Sequence, residues 1–234
     1  MTITDFHSHI LPALDHGCKD TDESVSQLTL MKNSGTDVAV ATSHFYPHVH
    51  KVDTFTKKMD EAINSLRRER IVCAPKLAVG AEVLLCENLN TMKGLPELCV
   101  RGTRVLLLEL PLEKLRDGHY DTVESLISDG YTVVLAHIDR YFKCFGDGID
   151  ELLTMGALAQ VNASSLSCHS VLKKVKQYLS DGNKICALGS DLHGVDEKLY
   201  RHFKKAKRRL GNDFERIMSQ TNKLLYEAEL IDLI

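Results

Sequence analysis

The sequence predicts an α/β fold in which buried parallel strands alternate with helices. Seven short apolar runs are separated by segments with helical spacing, and apolar runs of this length are typical of parallel strands covered on both faces. Strand followed by helix, repeated about seven times, indicates an α/β barrel or a doubly wound sheet. Both architectures place their chemistry at the carboxyl ends of the strands.

The strand-like runs share a polar ending, since each finishes in His, Glu or Asn. In chain order they are residues 3–9, 37–44, 76–82, 104–109, 132–137, 158–162 and 185–193. Metal-ligand residue types at so many strand ends are what a metalloenzyme barrel needs at its mouth. We therefore expect the functional site at this end of the sheet.

The segments between these runs have the spacing of amphipathic helices. The predicted helices cover residues 22–34, 53–70, 121–129, 170–180, 196–210 and 213–232. Asp53 is a natural cap for the second of them, and Gly35 and Gly130 are plausible stops for the first and third. No linker rich in Pro, Gly or Ser divides the chain, so we expect residues 1–234 to form a single domain.

Composition narrows the class of protein. The net charge of −3 gives no reason to expect binding to nucleic acid. The chain contains no apolar run of 18 residues and no signal-peptide pattern, so no membrane span is expected. Its seven cysteines are odd in number and scattered, which favours a reduced compartment and hence a cytoplasmic location.

Several phosphate-handling motifs are absent from the sequence. No cysteine is followed by an arginine at the sixth position, as cysteine-dependent phosphatases require, and neither a Walker loop nor a G-x-S-x-G elbow occurs. Any phosphate chemistry must therefore use other groups.

Two pairs of metal-ligand residues lie near opposite ends of the chain. His7 and His9 are separated by one residue, as are Asp191 and His193. In an extended segment such residues point to the same side, so each pair can reach one ion. A lone pair of this kind is equally compatible with a polar strand end, but two pairs at strand ends can converge in a closed sheet.

Four further residues end apolar runs: His44, Glu82, Glu109 and His137. A buried carboxylate without a partner is strongly disfavoured. A salt bridge would satisfy Glu82 or Glu109, but a divalent cation compensates carboxylates and accepts neutral imidazoles beside them. The mixed set suits Mn(II) or Fe(II), with Zn(II) as another choice.

Two basic features accompany these residues. Arg140 follows His137 by three positions, where its guanidinium can bind a phosphate through two hydrogen bonds. A surface arginine without a ligand is the other interpretation. The segment 198–209 is strongly basic. A solvated helix face explains that segment best, and a docking surface for an acidic partner or a subunit contact in a homo-oligomer are the other interpretations.

The motifs DFHSHILPALDHG, ATSHFYP, GAE, LLLELP, AHIDR, QVNASSL and GSDLH occur in this order. Together they resemble the polymerase-and-histidinol-phosphatase (PHP) family, and within it the bacterial manganese-dependent tyrosine-protein phosphatases of the capsular and exopolysaccharide type. The resemblance covers about residues 3 to 193. It implies a distorted TIM-like (β/α)7 barrel, three divalent metal ions, and hydrolysis of phosphotyrosine on a bacterial tyrosine kinase that controls polysaccharide synthesis.

The resemblance also implies roles for individual residues. The metal ligands would be His7, His9, His16, His44, Glu82, Glu109, His137, Asp191 and His193. Arg140 matches a phosphate-binding arginine of the family, and Lys198 stands near the place of a second one. Lysine cannot make the bidentate contact of an arginine.

The chain departs from the family pattern at His16 and at Asp139. Asp15-His16-Gly17 replaces the usual Asp-Asp-Gly, so His16 takes a carboxylate's place, with Asp15 as the other candidate ligand. Histidine there is typical of the histidinol-phosphatase branch. Asp139 stands where a glutamate is usual and is one methylene shorter. Either Asp139 or a metal-bound water would assist the leaving group.

The reaction expected from these residues is attack of a metal-bound hydroxide on phosphorus, without a phosphoenzyme. A small-molecule phosphoesterase of the histidinol-phosphatase type is the alternative that His16 favours. A binding protein that has lost turnover is a third interpretation, but such a protein gains nothing from so many buried ionisable groups.

Overall fold

The computed structural model describes residues 1–145 and 147–234, without the side chains of Asp147, Leu199 and Tyr200. The described residues form eight strands and seven α-helices. The strands are β1 (Thr4–His9), β2 (Val38–Phe45), β3 (Lys76–Leu84), β4 (Val105–Glu109), β5 (Thr132–Leu135), β6 (Leu158–Asn162), β7 (Ile185–Gly189) and β8 (Leu192–His193). The helices are α1 (Thr21–Asn33), α2 (Val52–Arg68), α3 (Asp117–Ser128), α4 (Asp147–Met155), α5 (His169–Ser180), α6 (Leu199–Leu210) and α7 (Asn212–Leu224).

The strands form one parallel sheet that curls as in a TIM-like barrel, which confirms the predicted fold class. Its order is β7-β6-β5-β4-β3-β2-β1-β8, without the reversal of strand order that a doubly wound sheet requires. The chain passes from β7 into β8 after two residues, and β8 pairs with β1 through Ser8–Leu192 and His9–His193. The two edges of the sheet therefore approach each other.

Local sequence explains where the first helix begins. The Asp20 carboxylate accepts a hydrogen bond from the Glu23 backbone amide, 2.9 Å away, and Asp22 and Glu23 lie in the first turn. An acidic cap and acidic first turn stabilise a helix because they bind its free amides and oppose the positive end of its dipole.

Three predicted elements differ clearly from the structure, and one helix was not predicted. The run 132–137 stops being a strand at Leu135, and the run 185–193 breaks into β7 and β8 at Ser190–Asp191. The predicted helix 213–232 ends at Leu224, after which Ile231 forms an antiparallel bridge with Leu77. Helix α4 (Asp147–Met155) was not predicted.

Two apolar layers hold the strands. The outer layer packs alternate strand residues, such as Leu77, Leu106 and Leu108, against the helices. The inner layer contains the strand residues that lie between these, such as Ala78 and Leu107, whose side chains point to the other face of the sheet. Side chains that continue the inner alternation toward the carboxyl ends of the strands therefore point into the mouth of the barrel.

No helix among the described residues is long and apolar enough to cross a membrane. The cysteines, all seven of which the structure describes, are free thiols.

The inner layer should contribute strongly to stability. Leu107 is 1% exposed and lies two residues before Glu109 on the inner face. Leu107→Ala should lower the free energy of unfolding by about 2–5 kcal/mol, because it removes buried methyl groups and leaves a cavity. Leu112→Ala is the matched control, since Leu112 is 92% exposed and should change stability by about 0.5 kcal/mol or less. Equal urea midpoints for the two variants would contradict the two-layer arrangement.

Candidate metal centre

The strand alternation carries acidic and imidazole side chains into the mouth of the barrel. On β3, Glu82 follows Ala78 and Gly80 on the inner face, and on β4, Glu109 follows Leu107. His44 is paired in register with Glu82 across β2 and β3. Residues from neighbouring parallel strands therefore meet at one level, although they are far apart in sequence.

A first group of atoms surrounds a point between β1, β3 and the β7–β8 turn. Nε2 of His7 and Nε2 of His9 lie 3.1 Å apart. The Glu82 Oε2 atom lies 3.2 Å from the His7 nitrogen and 3.4 Å from the His9 nitrogen. Asp191 Oδ1 lies 3.6 and 3.5 Å from the same two nitrogens. All four side chains are almost fully buried.

The far nitrogen of each ring is held by a hydrogen-bond acceptor. His9 Nδ1 lies 2.7 Å from Asp15 Oδ2, and His7 Nδ1 lies 3.1 Å from the amide oxygen of Gln160. Each neutral ring therefore carries its hydrogen on Nδ1 and presents the lone pair of Nε2. Two nitrogen lone pairs and two carboxylate oxygens then face one another, with no hydrogen among them.

This donor set fits a divalent cation. For metal–ligand bonds of about 2.1 Å, neighbouring ligand atoms lie about 3.0–3.4 Å apart, close to the spacings around His7 and His9. A histidine held at its other nitrogen by a carboxylate or carbonyl is the usual arrangement in metal sites. The residues present would therefore hold such an ion.

A second group lies on β2, β3, β4 and the end of β5. The buried atoms His44 Nδ1 and Glu82 Oε2 are 2.9 Å apart. Their angles do not suit a hydrogen bond, so within the described part of the chain neither atom has a hydrogen-bond partner. Glu109 Oε2 lies 3.7 Å from the His44 nitrogen, and His137 Nε2 lies 2.8 Å from Glu82 Oε1. Unpartnered buried polar atoms of this kind are suited to binding a cation.

A third group consists of imidazoles. His9, His44 and His193 each place a ring nitrogen within 4.8 Å of the others. The same spacing joins His7, His9 and Glu82, and also His44, Glu82 and Glu109. His9, His44 and Glu82 each belong to two of these three groups, so the groups of the described residues form one continuous cluster.

Protons supply the positive charge when no metal is bound. Burial alone would lower the pKa of His9, but hydrogen bonds with Asp15, Asp191 and Glu82 raise it well above its usual value. His7 behaves alike: burial alone would lower its pKa, but its contacts with Glu82 and the charge of Asp191 together raise it. Burial would raise the pKa of Glu82, but the charge of His7, a hydrogen bond with His137 and the nearby His44 imidazole hold it well below its usual value.

The structure separates the roles of Asp15 and His16. Both carboxylate oxygens of Asp15 accept hydrogen bonds, from His9 Nδ1, the His44 backbone amide at 3.0 Å and the Gly17 amide at 2.8 Å. The His16 ring stacks on His193 and His44 at centroid distances of 4.4 and 4.7 Å. Asp15 therefore orients His9, and the exposed His16 is the member of the pair that borders the cluster. Its role as a ligand stays a prediction.

The predicted phosphate-binding and acid residues lie in different surroundings. Arg140 is half-exposed and forms an ion pair with Asp191 at the edge of the cluster. Asp139 accepts a hydrogen bond from the Asn162 backbone amide at 2.9 Å. Lys198 is exposed before α6, where its backbone amide donates to Asp196. No ion pair joins the Lys198 ammonium to the cluster among residues 1–145 and 147–234, and its predicted role is untested.

Two buried amides in contact with the cluster were not predicted as site residues. Gln160 and Asn162 lie on β6, which carries none of the predicted ligands. Gln160 contacts His7 and the His137 backbone amide, and Asn162 Nδ2 lies 3.0 Å from Asp191 Oδ2. The available signal in the sequence was a pair of polar residues at positions i and i+2 of an apolar run.

Metal binding should release protons, and the affinity should rise with pH. The pKa of His9 is raised well above its usual value, so the metal-free site holds a proton near neutral pH that an ion must displace. Raising the pH through this pKa removes that competition and strengthens binding. Calorimetric titration with Mn(II) in buffers of different ionisation enthalpy should measure proton release that shrinks as the pH rises. Affinity independent of pH between 6 and 9 would contradict this account.

Comparison with known proteins places the chain in a family. The tyrosine-protein phosphatase CpsB of Streptococcus agalactiae is 26% identical over 207 residues, which cover 82% of this chain and 83% of that protein. The tyrosine-protein phosphatase YwqE of Bacillus subtilis is 24% identical over 238 residues, covering 97% and 92% of the two chains.

Solved structures support the fold. A crystal structure from work on YwqE of Bacillus subtilis and CpsB of Streptococcus pneumoniae, described as unique metal-dependent tyrosine phosphatases, superimposes with a TM-score of 0.78. It is 22% identical and covers 98% of this chain and 96% of that one. The family described as "Capsular polysaccharide synthesis, CpsB/CapC" matches residues 3–227. The expectation from the sequence motifs is confirmed, and the chain belongs to the CpsB/CapC family of capsular polysaccharide synthesis.

Proposed function

We propose that this protein is a metal-dependent phosphatase that hydrolyses phosphotyrosine on a protein. The observation that carries the proposal is the facing arrangement of His7 Nε2, His9 Nε2, Glu82 Oε2 and Asp191 Oδ1, which suits a divalent cation. Arg140 lies beside this group through its pair with Asp191. Relatives named tyrosine-protein phosphatases support the choice of substrate.

Three ions are proposed because three overlapping groups of ligand atoms occur among the described residues. The remaining predicted ligands, His16, His137 and Asp191, border these groups. Manganese is the metal proposed first, since imidazoles mixed with carboxylates suit Mn(II), while Fe(II) and Zn(II) suit the same set. Bound ions would neutralise the phosphoryl oxygens and supply hydroxide near neutral pH.

The residues around the cluster would hold the substrate. The Arg140 guanidinium is half-exposed, so its outer face can bind non-bridging phosphoryl oxygens while Asp191 fixes its position. Asp139 uses one carboxylate oxygen for the Asn162 amide. Its other oxygen would be free to receive or deliver a proton at the leaving oxygen.

The leaving group favours an aryl phosphate. Tyrosine has a pKa of about 10, so tyrosinate departs with less help from an acid than an alkyl alkoxide does. The substrate proposed is the phosphorylated tail of a bacterial tyrosine kinase that acts in polysaccharide synthesis. We assign the activity to a single domain, residues 1–234, and to the cytoplasm.

Removal of metal should abolish activity. Protein stripped with a chelator should not hydrolyse a phosphotyrosine peptide, and Mn(II) restored alone should recover turnover, because the cluster cannot activate water without a cation. Phosphate release would be measured for each metal added singly. Full activity in protein shown by elemental analysis to be free of metal would refute the proposed function.

The same assay tests the histidinol-phosphatase alternative, which the histidine at position 16 favours. A phosphotyrosine peptide should give the higher kcat/KM. A higher value for histidinol phosphate would replace the protein substrate with a small molecule and leave the metal chemistry intact.

Loss of the Arg140 guanidinium should weaken phosphate binding. Arg140→Ala should lower kcat/KM for the phosphotyrosine peptide about 10- to 100-fold, since a hydrogen bond to a charged group contributes about 1.5–3 kcal/mol. Arg140→Lys keeps the positive charge but loses the planar guanidinium, so its kcat/KM should lie between those of the wild type and Arg140→Ala. Arg104→Ala is the control, because the guanidinium of Arg104 binds the backbone carbonyls of Asp129 and Gly130 instead. Wild-type kinetics in Arg140→Ala would remove this residue from the site.

A further inference from the structure

Strand β6 supplies no predicted ligand, yet its two buried amides touch three of the ligand residues. Gln160 is fully buried and Asn162 is 6% exposed. Their contacts reach His7 on β1, His137 after β5, and Asp191 in the β7–β8 turn. Elements that are far apart in sequence are thus joined by one pair of side chains.

A single backbone amide fixes the orientation of this whole network. The His137 amide lies 2.6 Å from one polar atom of the Gln160 side chain. A backbone amide can only donate, so that atom is the oxygen Oε1. His7 Nδ1 lies 3.1 Å from the same oxygen and must therefore carry a hydrogen, which leaves Nε2 as the nitrogen that faces the cluster.

The amide nitrogen of Gln160 determines the orientation of the Asn162 side chain. With Oε1 assigned, Nε2 of Gln160 donates to Asn162 Oδ1 at 3.0 Å. The Asn162 Nδ2 group then donates to Asp191 Oδ2, also at 3.0 Å. Asp191 consequently directs its other oxygen, Oδ1, toward His7 and His9.

Two of the residues held in this way have unusual backbones. His137 has φ of 29° and Asp191 has φ of 56°, in a region that residues other than glycine seldom occupy. Such conformations persist where the surroundings over-determine them. Gln160 binds the backbone amide of the first residue, and Asn162 binds the side chain of the second.

Glycine at position 189 makes this contact across the barrel possible. A Cβ atom there would lie 2.5 Å from the Cβ of His7 and 2.6 Å from Gln160 Nε2. Any side chain on β7 at this level would separate β6 from β1. Because Gly189 has no side chain, Gln160 can extend over β7 and reach His7.

We infer that Gln160 and Asn162 form an amide clamp that sets the tautomer of His7 and the orientations of His137 and Asp191 for metal binding. They are positioning residues, which act through the predicted ligands. The inference rests on the proposed function only in taking these three residues as ligands. Loss of such a partner usually weakens metal binding by about 10–100-fold.

The test compares metal affinity in matched variants of the full chain. Gln160→Met keeps the length of the side chain but removes both polar atoms, and it should bind Mn(II) about 10–100-fold more weakly in a chelator-competition titration. Gln27→Ala is the control, since Gln27 is also fully buried and accepts one backbone hydrogen bond, from Asp196, outside the cluster. It should bind Mn(II) as the wild type does.

A second readout separates positioning from folding. In ¹⁵N spectra of the metal-free protein, recorded at a pH at which the His7 ring is neutral, wild-type His7 should carry its hydrogen on Nδ1. Gln160→Glu retains an acceptor oxygen and should preserve this tautomer, whereas Gln160→Met should lose it. If Gln160→Met does not fold, Asn162→Ala should still weaken Mn(II) binding relative to Gln27→Ala. This change removes the hydrogen bonds to Gln160 Nε2 and Asp191 but leaves Gln160 Oε1 in contact with His7 and His137.

Equal Mn(II) affinities in the Gln160, Asn162 and Gln27 variants, or an unchanged His7 tautomer in Gln160→Met, would overturn the clamp. Failure of the phosphatase assignment would appear differently. Metal-loaded wild-type protein would then lack activity on phosphotyrosine peptides while these affinity differences remained.

Discussion

The centre of this protein depends on a repulsion that only a cation relieves. His7 and His9 direct Nε2 lone pairs toward each other across 3.1 Å, and Glu82 and Asp191 add carboxylate oxygens to the same space. Burying unpaired charge costs several kcal/mol. The barrel interior must therefore bind either protons, which the raised pKa values of His7 and His9 indicate, or metal ions. The rest of the site orients these atoms so that a metal competes well.

Closure of the sheet brings the two ends of the chain to this point. His9 is in register with His193 because β8 pairs with β1. The pairing requires the chain to turn sharply between β7 and β8, where Asp191 adopts a positive φ of 56°. A conformation of this kind costs about 1–3 kcal/mol. The strain is thus located at a residue whose side chain lies against the cluster, where hydrogen bonds from Arg140 and Asn162 hold it.

Much of this arrangement could be predicted from the sequence, because parallel strands bring their carboxyl ends together. The pair His7 and His9 and the strand-end residues Glu82 and Glu109 meet in the structure for that reason. The exact strand ends could not be predicted at His137 and Asp191, since both leave the extended conformation to face the cluster. Helix α4 has only 9 residues and contains a glycine near its start, so it is short for a segment identified by helical spacing. The role of Gln160 could not be predicted because it depends on contacts with Gly189 and His7, which lie on two other strands.

The chemistry of β6 follows from the charge already present in the mouth. Asp15, Glu82, Glu109 and Asp191 supply four carboxyl groups, and the pKa of Glu109 is raised by burial and by its neighbour Glu82. Another carboxylate would add to this repulsion and could only accept hydrogen bonds. An amide adds no charge and offers a donor as well as an acceptor. Gln160 can therefore accept hydrogen bonds from His7 and His137 and donate one to Asn162. This chain of hydrogen bonds orients side chains from β1 to the β7–β8 turn without adding charge.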